Sequence, residues 1–289
     1  MTNKKIITIL SPLIICSAFI LCAAVAMLMY PETFHKFFSS PISPRELPHG
    51  SQSYYWDVEL YARKALNPNC DAFYPLWPFI IHTLFHPQTV EQAAHDFLII
   101  ATTLFFISTV LLFWIFKTGL ENLNLAFLLV LAYTVNPTSI FRVIGYTESL
   151  FATFSTLFIW IFLPQSKLHT NLKLLLISVI TFLMALTRPV LIQILFASTA
   201  TLITIFTFEF IQLKIFNRTQ LLNILKKYLY EVKATITLWV SSLLGYSIYG
   251  NFCQRTRGNF FAPFLAQKSW GKKLGIHLEF LFIPKSLLI

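Results

Sequence analysis

The chain alternates long apolar runs with short polar breaks. Ile6–Tyr30 is one unbroken apolar run behind Lys4 and Lys5. It exceeds the ~7–15 residues of a signal-peptide core, so it reads as a retained anchor with a cytoplasmic N-terminus. Five further candidates follow at 97–116, 123–141, 146–163, 172–187 and 190–211, and another at 234–252. Counting a last run at 276–289, the pattern predicts about seven or eight spans of ~20 residues. Between the first and second spans lies a long polar segment, 31–96, expected to form the first outer loop. Trp56–Leu66 has no helix breaker and is expected to form a short interfacial helix. Phe73–Phe85 is apolar but too short to cross, and Pro75 and Pro78 interrupt it, so it reads as re-entrant or interfacial.

Composition supports this pattern. Hydrophobic residues make up 56% and charged residues 12%, against roughly a quarter charged in soluble domains. The expected fold is therefore all-α: a polytopic membrane protein forming a single membrane domain over residues 1–289. The formal charge of +10 is read as membrane topology rather than nucleic-acid binding. Lys167, His169 and Lys173 cluster in one turn, and Lys214, Arg218, Lys226, Lys227 and Lys233 in a later loop. Alternating spans place both clusters inside, as the positive-inside rule requires. The basic loop 253–275 falls outside by the same count, where Arg255, Arg257 and Lys268 could meet lipid phosphate. Cys70 and Cys253 also fall outside; a disulfide between them and two free thiols are both open readings. Cys16 and Cys22 lie inside the first apolar run.

Four groups of residues could carry chemistry, all on the expected outer face. Asp57 and Glu59 sit among Trp56 and Tyr61. On a helix Asp57 and Tyr61 share a face and Glu59 points away; in an extended segment the two carboxylates would share one. Either carboxylate could take a proton from an acceptor hydroxyl. Asn136-Pro137-Thr138-Ser139, Arg142 and Tyr146-Thr147-Glu148-Ser149 interrupt an apolar stretch, where ionisable groups are costly unless satisfied or functional. Arg142 and Glu148 could pair across that turn, or Glu148 could hold a substrate hydroxyl. Arg188, in Thr187-Arg188-Pro189, could snorkel to the interface or clamp phosphate through its fork of donors. Gln267, Lys268 and Trp270 combine an amide, a cation and a stacking surface. No metal cluster has convincing spacing, and a divalent cation is left open.

Together these stretches resemble the PIG-V family of membrane mannosyltransferases. The resemblance rests on Trp56-Asp57, Ala72-Phe73-Tyr74-Pro75-Leu76-Trp77-Pro78, Asn136-Pro137-Thr138-Ser139-Ile140-Phe141, Tyr146-Thr147-Glu148-Ser149-Leu150-Phe151, Thr187-Arg188-Pro189 and Ala266-Gln267-Lys268-Ser269-Trp270, in the family's order across roughly residues 50–275. It implies a GT-C helical bundle whose first outer loop carries a catalytic Asp, at Asp57. It also implies a lipid-phosphate sugar donor, a lipid or glycan acceptor, inversion at the sugar carbon, and a bacterial inner membrane or the endoplasmic reticulum. Relatives run longer, and the final apolar run stops at the chain end, so C-terminal helices are expected to be missing. Two other functions remain: a transporter or flippase of lipid-linked saccharide, and an inactive relative acting as a membrane partner.

Overall fold

The computed structural model describes residues 15, 17, 56–120, 122–163, 166, 168–189, 191–212 and 218–268. Every regular element among them is helical. In chain order they are α1 (Trp56–Leu66), α2 (Leu76–Phe85), α3 (Val90–Leu120), α4 (Leu123–Thr134), a 3-10 segment (Pro137–Arg142), α5 (Glu148–Phe162), α6 (Thr170–Ala185), α7 (Leu191–Gln212), α8 (Arg218–Lys227), α9 (Leu229–Arg257) and α10 (Ala262–Lys268). The expected anchor, Ile6–Tyr30, lies outside the described residues apart from two positions.

The short helix expected over Trp56–Leu66 forms over those residues. In α1, Asp57 and Glu59 occupy the first turn and Arg63 and Lys64 the last, which complements the helix dipole. The helix stops where Pro68 disfavours helical backbone at Asn67. One expectation requires correction. The run 123–141 is not one span: α4 ends at Thr134, and a 3-10 turn follows. Pro137 cannot donate an N–H to a helix and restricts Asn136 before it. A second correction concerns the basic loop after α7, where residues 218–227 form the short helix α8.

Among the described residues two helices are long and apolar enough to cross a membrane: α3, with 31 residues and mean hydropathy 2.4, and Leu191–Ile211 of α7, with 21 residues and mean hydropathy 1.9. The apolar helices α4, α5 and α6 have 12, 15 and 16 residues, shorter than the ~20 that a straight crossing takes. Large apolar side chains such as Phe196, Ile203, Phe208, Leu243 and Ile248 face outward.

Packing divides into two main cores. The first joins α1, α2 and the N-terminal half of α3 to residues 144–150, around Trp77, Ile81, Phe97 and Leu150. The second joins α5, α6, α7 and α9 around Ile177, Met184, Leu191 and Leu238. Between α6 and α9, Ser178 and Ser241 share a hydrogen bond of 2.8 Å. Next along α9, Gly245 lets that helix approach closely: a Cβ there would lie 2.7 Å from Ala185 Cβ and 2.8 Å from Phe182 O. Such close approach over small residues suits helices whose association cannot draw on water exclusion.

A candidate active site at the meeting of three loops

The site begins with α1. Because this segment is helical, Asp57 and Tyr61 lie one turn apart on one face, and Lys64 follows on the same stripe. Glu59 is turned elsewhere. Its buried carboxylate accepts from Arg63 Nε at 2.7 Å and Nη2 at 2.6 Å.

The second contribution is the turn before α5. Gly145 has φ +91°, a conformation that side chains rarely adopt. A Cβ there would approach Phe97 Cβ to 3.2 Å. Trp77 Nε1 donates to the Gly145 carbonyl at 2.9 Å. The turn therefore delivers Tyr146, Thr147 and Glu148 to a fixed place. The third contribution follows α6. Leu76 N donates to Leu186 O at 2.9 Å, tying α2 to the α6–α7 connection. That connection carries Arg188.

These three pieces converge. Arg188 Nη1 is bonded to Glu148 Oε1. Each side chain keeps about a third of its surface open, at 33% and 30%. Burial works against the Arg188 charge, but Glu148 more than offsets this, with Tyr61 and Asp57 adding to it, so its pKa rises. The Tyr61 phenol is pushed well above the ordinary tyrosine value, first by burial and then by the Asp57 carboxylate. Tyr146 is bonded to the Asp57 backbone. The result is a compact polar group of Asp57, Tyr61, Tyr146, Thr147, Glu148 and Arg188. It holds two carboxylates, a guanidinium and hydroxyl groups. Such a set can abstract a proton and hold an anion.

Other expected residues fall elsewhere. Arg142 does not pair with Glu148. Its Nη2 donates to Ser108 Oγ at 2.6 Å, and its guanidinium lies 4.7 Å from the centres of both the Phe105 and Tyr133 rings. Glu148 instead finds Arg188, although α5 stays against the 3-10 segment, with Ser149 Oγ donating to the Arg142 carbonyl. Trp56 opens α1, and Gln267 and Lys268 close α10; the side chains of all three, and the whole of Trp270, lie outside the described residues. Among the described residues no three His, Cys, Asp or Glu side chains cluster as a metal site would need.

Beside this group lies an apolar cleft of about 340 Å³ between α7, α9 and α10. Its walls include Tyr74, Trp239, Tyr246, Tyr249, Phe260 and Phe264. Tyr246 joins the two regions, its hydroxyl donating to Pro189 O at 3.3 Å. Phe260 closes against Gly250, where a Cβ would meet its ring at 2.6 Å.

A second polar node sits one turn further along α1. Lys64 Nζ donates to Asp71 Oδ1 at 2.8 Å, to Tyr249 Oη at 2.9 Å and to the Phe73 carbonyl. Next to it a disulfide joins Cys70 to Cys253, with Cα atoms 5.1 Å apart. The open question over these thiols is thus decided in favour of the bridge. Composition and motif reasoning missed Lys64, Asp71 and Tyr249. The 57–61–64 spacing on a breaker-free helix was the signal that could have found Lys64.

No family model, no curated protein and no solved structure matches the chain.

Proposed function

We propose that this chain is a polytopic membrane glycosyltransferase. It moves a hexose, with mannose the favoured sugar, from a polyprenyl- or dolichyl-phosphate donor to a lipid or glycan acceptor at the non-cytosolic membrane face. The observation that carries the reading is the convergence of Asp57 with the Glu148–Arg188 pair. Two residues far apart in the chain supply the base and the phosphate clamp, each in a stretch that resembles the PIG-V family.

In this mechanism Asp57 takes the proton of the acceptor hydroxyl as its oxygen attacks the anomeric carbon. The bond from that carbon to the phosphate oxygen breaks, and the lipid phosphate leaves with the bonding electrons. Arg188 faces the phosphate. Its guanidinium carries five N–H donors, and the pair with Glu148 fixes its orientation and charge. Tyr61 remains protonated, and its hydroxyl and that of Tyr146 can donate to sugar or phosphate oxygens. The aromatic cleft takes the first isoprene units of the donor, with Tyr246 at the join. The Cys70–Cys253 bridge supports the assigned side, because disulfides persist in oxidising compartments. Short helices such as α5 and α6 then serve as partial crossings within the multi-pass fold.

The test is transfer from a radiolabelled polyprenyl-phosphate hexose by the purified full chain. Asp57→Asn is expected to lower transfer at least about 100-fold, with monodisperse elution and an intact disulfide. Full transfer by that variant would refute the assignment.

A further inference from the structure

Lys64 has a feature that the proposed mechanism does not use. Its side chain is 4% exposed, and taking an ammonium out of water costs several kcal/mol unless it is paired and bonded. Here it is fully engaged, and its partners belong to two different segments. Asp71 and Phe73 lie on the α1–α2 connection, and Tyr249 lies on α9. The Tyr249 hydroxyl also reaches the Phe73 carbonyl at 2.8 Å and the Asp71 carbonyl at 3.0 Å. Asp71 Oδ1 in turn accepts from Phe73 N at 2.8 Å.

The disulfide lies immediately beside this node and already fastens the two backbones together. Holding the segments together therefore does not require a buried lysine. What Lys64 adds is orientation. It fixes the Tyr249 hydroxyl and the carbonyl just before Tyr74. The Tyr74 and Tyr249 rings pack 5.2 Å apart, and both line the aromatic cleft.

We propose that Lys64 is a positioning residue for the cleft, its ammonium holding Tyr74 and Tyr249 in place as the wall against which a substrate's isoprenoid chain lies. This rests on reading the cleft as the seat of that chain. The same stripe of α1 thus presents Asp57 to the reacting hydroxyl and, through Lys64, shapes the groove for the tail.

Binding of a long-chain polyprenyl monophosphate, a short-chain one and inorganic phosphate to the purified full chain in detergent tests this. The wild-type protein is expected to favour the long chain. Lys64→Met should lose about tenfold in long-chain affinity, and Tyr249→Phe about threefold. Neither should change affinity for inorganic phosphate, and the disulfide should stay intact by a maleimide gel-shift assay. A general loss of structure would weaken all three ligands together, so the selective loss marks positioning. If the wild-type protein shows no long-chain preference, both the cleft reading and the role of Lys64 fall. If it shows the preference and both variants keep it with the disulfide intact, only the role of Lys64 falls. Should Lys64→Met fail to fold, Tyr249→Phe alone decides between these outcomes.

Discussion

Gly245→Ala places one methyl group at the tightest point between α6 and α9. The added Cβ would stand 2.7 Å from Ala185 Cβ and 2.8 Å from the Phe182 carbonyl. Neither obstacle is the end of a flexible side chain, so relief must come from the helices. Restoring ordinary contact requires them to part by roughly 0.7 Å, in a core where packing does not deform cheaply. Overpacking of this kind costs about 1–3 kcal/mol. At about 2–4 °C per kcal/mol for a chain of this size, Tm should fall by several degrees. The displacement should also reach the site. Ala185 ends α6, and Thr187 N and Arg188 N both donate back to Met184 O, at 3.0 and 3.1 Å. A shifted α6 carries Arg188 away from Glu148, so donor affinity should fall as well. Thermal unfolding in detergent and donor binding measure the two effects. Adding Ala185→Gly removes one of the two obstacles and should recover part of the loss. A Gly245→Ala protein as stable as wild type, with unaltered donor binding, would refute the packing argument.

Glu59→Gln should keep transfer within about threefold of wild type, since its carboxylate serves Arg63 rather than the Glu148–Arg188 pair, and should cost less than about 1 kcal/mol because Arg63 is largely exposed; a loss matching Asp57→Asn would make Glu59 the base instead. Removing both thiols with Cys70→Ser and Cys253→Ser should cost about 2–4 kcal/mol, read by thermal unfolding, and unchanged stability would count against the bridge. Lys64 also predicts a pH effect. Burial lowers its pKa beneath the ordinary lysine value, although Asp71 opposes this and Arg257 adds to it. The unfolded chain then binds more protons than the folded one between the lowered value and the usual ~10.4. Wild-type stability should rise across that alkaline window relative to Lys64→Met, and parallel Tm curves for the two proteins would contradict it.

Much of the local structure was legible in the sequence. The absence of breakers from 56 to 66, with acids first and bases last, specified α1 to the residue. Pro137 carried the information that ended α4, but the apolar content around it suggested a continuous span. Arg142 and Glu148 lie six positions apart, which made a pair across the turn reasonable. In the fold the Arg142 side chain settles on Ser108 and two aromatic rings, while Glu148 meets Arg188 from a distant connection.

The sequence by itself determined the helical class, because periodic apolar runs and proline breaks act over a few residues. It also determined that Asp57 and Tyr61 would share a face once α1 formed, since helix geometry allows nothing else. The tertiary structure decided which distant groups meet: Arg188 with Glu148, Lys64 with Asp71 and Tyr249, and Cys70 with Cys253. Those pairings depend on how helices cross and how loops turn. Residues 183 positions apart leave no local trace of such an encounter, because the contact energy exists only after the intervening chain has packed.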